Sequence, residues 1–444
     1  MKSRTKNLKK HIKVSLLYKI FAMFLSFYAV RLSLDYLGIQ NFGLWAVILS
    51  VLNWIVFFDF GIANGVKNRV AECWASNDQK GIKSYISTGY ITLLIFVVTA
   101  YSFLYNIIPF INWQLIFGHH YLDNEFLIKL VRIAVFFVLF NFWITIINQI
   151  ANAFQQSSLV VLSQFVGLVV SVLLLTLITK ISDSNIIYVA VVYGVSISSG
   201  NLFVTYVFFK KQVSLIPSVK FFSKNKARKI FSLGWTFFIL QLIVLVILTA
   251  DKIIIVNLLG PSDVSHYEVV YRYFSLLLVF HSIINSPLWP AYTESYKNKD
   301  FKWILNTISN LDRLMICYVL IAVIMSLAGN WVFSYWLSND DISLELSNYL
   351  FFGGMIVMYI MYTTLAHLTN GIERTNIQLY TGLIGAIINI PLSIYFVSYF
   401  NMGINGVVLA TAFSFSIFVL SGRFYIVREL KKEYLEQNRN AEKF

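Results

Sequence analysis

Long apolar segments, separated by short polar connections, recur along the entire chain. A helix that spans a bilayer needs about 20 mostly apolar residues, and twelve segments meet this requirement. Their apolar runs are continuous, whereas the strands of a membrane barrel alternate between apolar and polar positions over about ten residues. The predicted helical spans are residues 14–36, 42–64, 85–108, 130–150, 158–179, 186–209, 231–256, 265–288, 313–333, 347–369, 377–399 and 404–427.

Positive charge is distributed unequally between the two sides that these spans define. The chain has 35 Lys and Arg residues, and only Lys129 and Lys180 lie in connections on one side. A few lie inside spans, and the rest lie on the other side together with both termini. Because cytoplasmic segments carry the excess of Lys and Arg, the bias predicts an even number of spans, with cytoplasmic N- and C-termini, in a bacterial inner membrane.

Composition agrees with a membrane protein. Hydrophobic residues make up 58% of the chain and charged residues 13%, against about 45–50% and about 25% in soluble domains. The net charge of +14 then reflects topology, and we expect no nucleic-acid partner. The chain contains no Walker A sequence and no metal-ligand motif, and its connections are too short for a catalytic domain. We therefore predict that it has no cofactor and is not an enzyme.

The two halves of the chain resemble each other at an offset of half its length. An offset of six spans gives the halves parallel topology, as in many transporters, although channels and membrane enzymes can also be duplicated. The predicted domains are an N-terminal six-helix bundle (1–209), a basic cytoplasmic linker (210–230), a C-terminal six-helix bundle (231–427) and a cytoplasmic tail (428–444). Matched pairs include Leu37-Gly38 with Leu259-Gly260, Asp78 with Asp300 and, with a small shift, Gly167 with Gly385.

Several ionisable residues lie inside the apolar spans, where a charge costs at least about 2.5–3.5 kcal/mol on insertion scales. Some have an ordinary structural explanation, because a residue near a span end can extend its charge to the surface and residues one turn apart can pair. Asp251 and Lys252 point about 100° apart, so at least one needs a partner on another helix. The set comprises Lys19, Arg31 (near Asp35), Asp59, Arg132, Asp251, Lys252, Arg272 (near Glu268) and His281.

Asp59 and His281 occupy the same position in the two halves, and neither has a partner of opposite charge one turn away. Equivalent helices in a duplicated protein can face one central cavity. Asp59 is therefore a candidate proton or cation carrier or gate residue, and His281 is either a functional residue or a hydrogen-bonded core residue. Basic residues outnumber acidic ones inside the spans, so a cavity that they line would attract a phosphate-bearing or other anionic cargo.

The segment Asp59–Asn68, which continues through Ala71-Glu72 and Asn77-Asp78, resembles the end of helix two and the following loop in O-antigen flippases (Wzx). These are polysaccharide transporters of the multidrug/oligosaccharidyl-lipid/polysaccharide exporter superfamily. The segment from Leu37-Gly38 to Trp45 resembles the turn between their first two helices. The length, the twelve spans and the six-plus-six repeat also agree with that family.

The resemblance implies an all-α membrane fold in which two pseudo-symmetric six-helix bundles form a V around a central cavity. It implies alternating access, driven by a proton or sodium ion, that flips an undecaprenyl-pyrophosphate-linked oligosaccharide across the bilayer. A polysaccharide polymerase and chain-length machinery are further candidate partners. By helix, the cavity would hold Arg31, Lys252, Arg272 and His281 as substrate-binding residues and Asp59 as the ion-coupling or gate residue.

Two alternatives remain open. The chain could be a multidrug or other small-molecule exporter of the same superfamily, although a cationic cavity argues against cationic drugs. It could also be a membrane polysaccharide polymerase or ligase, but such a protein is expected to have a large periplasmic loop with catalytic Arg or His, and the outer connections here are short.

Overall fold

The computed structural model describes residues 2–57, 62–117, 122–154, 156–231, 235–285, 288–337 and 344–441. These residues form α-helices joined by short turns. The chain divides into two compact units, Met1–Phe238 and Ile239–Phe444. The predicted limits of bundles, linker and tail remain a prediction, and α16 continues without interruption from the last predicted span into the predicted tail.

The first unit contains nine helices within its described residues, and the second begins in the first turns of α10. The helices are α1 (Lys2–Phe57), α2 (Ile62–Ala75), α3 (Gln79–Ile107), α4 (Trp113–Phe117), α5 (Asn124–Ile144), α6 (Ile146–Ala153), α7 (Ser157–Ile181), α8 (Ile186–Lys211), α9 (Lys224–Phe231), α10 (Trp235–Leu258), α11 (Pro261–Asn285), α12 (Leu288–Lys297), α13 (Phe301–Trp336), α14 (Leu346–Gly371), α15 (Asn376–Ser398) and α16 (Ile404–Ala441).

Within the described ranges, each of the twelve predicted spans falls on helical residues. Ten helical segments there are long and apolar enough to cross a membrane, and the first of them, Leu17–Val51, carries parts of two predicted spans on either side of a kink at Gly38. The seventh predicted span falls on α10, whose side chains are described only from Leu242 onward. The chain is thus an all-α, multi-pass membrane protein.

Helical structure extends beyond the predicted spans in both units. The segments that follow the second and eighth spans contain α2 and α12, and α3 and α13 begin before the apolar runs that they carry. Cys73, which lies between the second and third predicted spans, is part of α2. Hydropathy locates only the part of a helix that crosses hydrocarbon, so polar helical extensions into the headgroup region were missed.

The internal repeat is visible in the backbone itself. Gly38 and Gly260 both have positive φ angles, of 71° and 116°, at the junction between their unit's first two predicted spans. Asn77 and Lys299, again matched positions, both have a φ of 57°. The next residues, Asp78 and Asp300, cap α3 and α13 by accepting hydrogen bonds from backbone N–H groups three residues later. The repeat predicted from matched residues is therefore confirmed at the level of conformation.

The same helix contact recurs in both units. A Cβ atom added to Gly167 would lie 3.0 Å from the carbonyl oxygen of Ser196, and one added to Gly385 would lie 2.7 Å from that of Ser414. Each glycine thus lets its helix, α7 or α15, approach the backbone of the following helix closely. Small residues serve this purpose in membrane helices, where association depends on tight packing.

The basic segment between α8 and α10 is folded against the first unit. Ser84 on α3 donates a hydrogen bond to the carbonyl of Phe221 at 2.9 Å, and the backbone N–H of Ser218 donates to the Ser87 hydroxyl at 3.1 Å. Gly65 on α2 lies under this segment, since a Cβ atom there would be 2.4 Å from the Ile230 carbonyl oxygen. The segment therefore packs on α2 and α3.

Replacing Gly38 by alanine is expected to lower stability by about 1–3 kcal/mol, because its φ of 71° and ψ of 166° lie in a region that is essentially restricted to glycine. The measurement is the thermal unfolding midpoint of the purified protein in detergent. Gly354→Ala is the matched control: Gly354 is helical, an added Cβ atom meets nothing within 4 Å, and alanine favours a helix. Equal midpoints for the two variants would contradict the expectation.

Candidate functional site

Three charged side chains meet between α10 and α11 in the second unit. The Lys252 ammonium lies 2.6 Å from one carboxylate oxygen of Glu268, and the Arg272 guanidinium lies 3.6 Å from the other. The Lys252 and Glu268 side chains are only 16% and 14% exposed, whereas that of Arg272 is 38% exposed. We call these residues the charged triad. Two cations share one carboxylate, so the net charge of the triad is +1. Arg272 is the most exposed of its three side chains.

Asp251, the neighbour of Lys252, faces a different environment. It is fully buried, and its carboxylate accepts hydrogen bonds from the Tyr267 hydroxyl at 2.8 Å and from the Thr411 hydroxyl at 2.9 Å. The side-chain amide of Asn389 donates to the same threonine oxygen at 3.1 Å. The prediction that Asp251 or Lys252 needs a partner on another helix is confirmed for both residues. The carboxylate thus joins α10 to α11 and α16.

Neutral oxygens without a partner lie on α15, at Asn389, which reaches this network through Thr411, and at Ser393. Asn389 and Ser393 are both fully buried and are one turn apart on α15. Among the described residues, the Asn389 carbonyl oxygen and the Ser393 hydroxyl have no hydrogen-bond partner. Buried polar groups are normally satisfied, and an exception calls for a water molecule or an ion. We call Asp251, Asn389, Ser393 and Thr411 the buried oxygen cluster.

His281 lies about 20 Å along α11 from Glu268, given the helical rise of 1.5 Å per residue. It is buried, its Nε2 lies 3.0 Å from the Thr364 hydroxyl, and its ring meets Tyr318 edge-on. The Thr364 hydroxyl also lies 2.8 Å from the Ile360 carbonyl oxygen, to which it can donate. The Nδ1 atom of His281 is buried and has no hydrogen-bond partner among the described residues.

The other predicted site residues, Arg31 and Asp59, and the intramembrane cation Arg132 belong by sequence to the first unit. Arg31 belongs to the first unit, where its guanidinium lies 3.7 Å from Asp35 one turn later, and both side chains are about one-third exposed. Asp59 lies outside the described residues. Arg132 donates a hydrogen bond to the Tyr105 carbonyl at 3.1 Å and lies 3.9 Å from the centre of that tyrosine ring. Arg31 and Arg272 each lie close to an acidic side chain one turn away on the same helix, as the sequence predicted.

Chemically, the second unit offers two kinds of binding capacity. The charged triad can attract an anion through Arg272, the most exposed of its cations. The buried oxygen cluster combines one carboxylate with neutral oxygens, which suits a proton or a small hard cation. The described residues contain no group of three or more His, Cys, Asp or Glu side chains that could hold a metal ion.

Comparison with protein families decides the classification. A family model described as "Polysaccharide biosynthesis protein" matches residues 8–296, which is well over half of the chain. The chain belongs to the polysaccharide biosynthesis protein family. A second model, MatE, matches residues 237–395. The resemblance predicted from the sequence is therefore confirmed at the level of the family for this polysaccharide biosynthesis protein.

Relatives and solved structures agree with the family. The chain is 21% identical to a provisionally named O-antigen export protein of Yersinia pseudotuberculosis, over 62% of this chain and 63% of the relative. It is 23% identical to a provisionally named O-antigen transporter of Salmonella typhimurium, over 87% of this chain and 88% of the relative. An inward-facing multidrug resistance MATE family transporter of the MOP superfamily aligns with a TM-score of 0.75 at 15% identity, covering 95% of this chain and 99% of that one. An outward-facing form aligns with a TM-score of 0.67.

Sequence reasoning missed most of the buried oxygen cluster in this family member. The sequence indicated that placing the Asp251 charge inside a span costs free energy, but it did not identify the partners Tyr267 and Thr411. An available signal was Asn389, an amide within the apolar run of α15. Glu268 was paired with Arg272 only, because one-turn spacing shows partners on the same helix and not the contact from Lys252.

Proposed function

We propose that this chain is a lipid-linked oligosaccharide flippase. It moves undecaprenyl-pyrophosphate-linked O-antigen, or a similar surface-polysaccharide repeat unit, from the cytoplasmic to the periplasmic leaflet of the bacterial inner membrane. The observation that carries the proposal is the charged triad, a cationic site inside the spans of a protein from a polysaccharide family with a transporter fold. The names of the Yersinia and Salmonella relatives support the O-antigen cargo.

The physics of such a cargo agrees with these features. A pyrophosphate and a hydrophilic glycan cannot cross about 30 Å of hydrocarbon unaided, whereas a polyprenyl tail can stay in the lipid. A cation in a low-dielectric setting attracts the pyrophosphate more strongly than it would in water. Glu268 weakens that attraction, because it neutralises one of the two cations in the triad. The weaker attraction lets the cargo leave as well as bind. Arg31, Lys252, Arg272 and His281 are the proposed substrate-binding residues.

Coupling to a proton or sodium gradient is the second part of the proposal. Asp59 keeps its proposed role as a coupling or gate residue, and the buried oxygen cluster adds a second candidate. A carboxylate at this depth is costly unless it is paired or neutralised, so Asp251 favours binding of a proton or a cation. The unpartnered oxygens of Asn389 and Ser393 would complete the shell of a bound cation.

The test uses proteoliposomes that contain a short undecaprenyl-pyrophosphate oligosaccharide and measures how fast its glycan becomes accessible on the opposite leaflet. The wild-type protein is expected to accelerate crossing, and a proton or sodium gradient is expected to increase the rate. Arg272→Ala should slow crossing about tenfold or more, because a hydrogen bond to a charged group contributes about 1.5–3 kcal/mol. Asp59→Asn and Arg31→Ala are also expected to impair transport without preventing membrane insertion.

Arg132→Gln is the control for Arg272→Ala, since it removes an intramembrane cation outside the charged triad, one that contacts Tyr105. No acceleration by folded wild-type protein, with several glycans, would overturn the flippase proposal.

The competing proposal within the superfamily is a multidrug or other small-molecule exporter, which the MATE structural likeness favours. Gradient-driven efflux of small molecules, without any glycan crossing, would establish that alternative.

A further inference from the structure

An apolar groove lies between α13, α14 and α16 in the second unit, away from the charged triad. Its volume is about 530 Å³, within the range of about 300–1,000 Å³ that is usual for ligand pockets. Its walls are mostly aliphatic, with Leu311 and Met315 on α13 and Leu365 on α14 among them. We call it the α13–α16 groove. It provides room for a hydrocarbon chain.

The rim of the groove is apolar and exposed on both flanking helices. Ile316 on α13 is 62% exposed, and Leu420 on α16 is 69% exposed, and both line the groove. Leu320 and Phe424 continue this exposed apolar surface along the same two helices. These exposed apolar side chains lie within predicted membrane spans, so the groove opens to the acyl region of the bilayer.

A stripe of cations continues from one end of the groove along α16. The cations lie on one face of α16, whose positions recur every three or four residues from Leu420 to Arg439, and Arg423 belongs to both the groove and the stripe. Its other cations are Arg428, Lys431, Lys432 and Arg439, all of which are exposed. We call this feature the basic stripe.

The acidic residues nearby do not neutralise the basic stripe. Asp312 on α13 accepts a hydrogen bond from Arg423 at 2.7 Å, and Glu436 lies within the stripe. The other two carboxylates of this segment, Glu429 and Glu433, are turned towards Arg374 on another side of α16. Five cations therefore face two carboxylates, which leaves the stripe with a formal charge of +3.

The depth of these features matches a lipid molecule. Arg423 follows Ile404, the first residue of α16, by 19 positions, or about 28 Å of helix. Hydrocarbon is about 30 Å thick, so Arg423 lies near one boundary and the rest of the basic stripe lies among the headgroups. The predicted topology makes this the cytoplasmic leaflet, whose anionic lipids attract cations that directly follow a span.

We propose that the α13–α16 groove and the basic stripe together form a binding site for an anionic phospholipid of the surrounding bilayer. One acyl chain occupies the groove, and the phosphate lies on the cations from Arg423 to Lys432. A zwitterionic phospholipid fills the groove equally well but lacks the net charge that the basic stripe attracts. The site uses neither the charged triad nor the buried oxygen cluster, but Thr364, the hydrogen-bond partner of His281, lines the groove, so the lipid site adjoins one proposed substrate-binding residue.

The test measures lipid retention by the purified full-length protein. Native mass spectrometry would compare phosphatidylglycerol with phosphatidylethanolamine of identical acyl chains. A phosphatidylglycerol carrying a photoactivatable group in one acyl chain would then locate the contact by peptide mapping. The expected result is preferential retention of phosphatidylglycerol, with crosslinks on α13 and α16.

Two variants separate the headgroup contact from the groove. Combined Arg428→Gln, Lys431→Gln and Lys432→Gln should lower phosphatidylglycerol retention about tenfold or more, given the attraction of each cation for an anionic surface. Ile316→Trp, which adds bulk at the rim of the groove, should reduce the crosslinks while leaving the basic stripe unchanged. The matched control is combined Lys211→Gln, Lys220→Gln and Lys224→Gln, which removes the same charge from exposed positions in the first unit.

Three outcomes would overturn the proposal. One is equal retention of both lipids, and another is a loss in the control variant as large as in the stripe variant. The third is stronger retention of undecaprenyl phosphate than of phosphatidylglycerol, which would assign the groove to a polyprenyl lipid instead. All variants are surface substitutions, and a monodisperse elution profile in detergent checks that each one is folded.

Discussion

Gradient-driven transport is expected to fall by about two orders of magnitude when Asp251 is replaced by asparagine. Asparagine keeps the shape of the side chain and can still accept hydrogen bonds from Tyr267 and Thr411. What it cannot do is take up and release a proton or offer a negative charge to a cation. If Asp251 couples ion movement to transport, this one change removes the coupling while the helices stay packed.

The measurement is the rate of glycan crossing in proteoliposomes, with and without an imposed proton or sodium gradient. The diagnostic quantity is the ratio of these two rates, which should be well above one for the wild type and near one for Asp251→Asn. Asp263→Asn is the matched control, because it makes the same chemical change in the first turn of α11, outside the buried oxygen cluster.

An unchanged rate ratio in Asp251→Asn would remove this carboxylate from the coupling mechanism and leave Asp59 as the candidate. Equal losses in both rates, together with a lower unfolding midpoint, would indicate a structural role for Asp251. A second variant, Thr411→Val, removes the hydroxyl that joins Asp251 to Asn389 while keeping the side chain's size. We expect it to weaken coupling less than Asp251→Asn, because the carboxylate remains.

The spans could be predicted because the bilayer imposes a local requirement. Every stretch in contact with hydrocarbon must be apolar and helical over about 20 residues, so a window of sequence contains the whole signal. The repeat was also accessible, since Gly38 and Gly260, with their positive φ angles, are glycines at matched positions. Asn77 and Lys299 share their positive φ without sharing a residue type, and sequence comparison could not detect that pair.

Partners across helices could not be predicted from spacing. Thr411 follows Asp251 by 160 positions, and only the packing of α16 against its neighbours brings the two side chains together. The one-turn rule found Glu268 for Arg272, yet the shorter contact, at 2.6 Å, comes from Lys252 on α10. The sequence therefore identified the residues whose charge costs free energy inside the membrane. Of the side chains that compensate those charges, it identified only the ones on the same helix.

This difference affects how the proposed substrate site is understood. Counting intramembrane charges by sign, with Asp35 and Glu268 treated only as pair partners, predicted a positive cavity from five basic and two acidic residues. Within the charged triad, Glu268 neutralises one of two cations, and Arg272 is the more accessible of the two. The proposed attraction for pyrophosphate in the second unit thus depends on one net charge, held in place by a buried carboxylate.

Glu268→Gln is accordingly expected to be the most destabilising single substitution among the charged residues of the second unit. It leaves Lys252, whose side chain is only 16% exposed, without its counter-charge. Breaking a buried pair by removing one partner costs about 3–5 kcal/mol, because the remaining charge is uncompensated. The expected result is a large drop in the thermal unfolding midpoint in detergent, with reduced yield of folded protein.

The double variant Glu268→Gln with Lys252→Met distinguishes lost compensation from lost packing. If the uncompensated ammonium causes the damage, removing it restores most of the stability, and the coupling energy of the cycle is large. Asp35→Asn is the matched control, since its pair with Arg31 is about one-third exposed and such pairs contribute only about 0–1 kcal/mol. A Glu268→Gln variant as stable as the Asp35→Asn control would contradict the assignment of Glu268 as the residue that holds the triad's cations within the membrane.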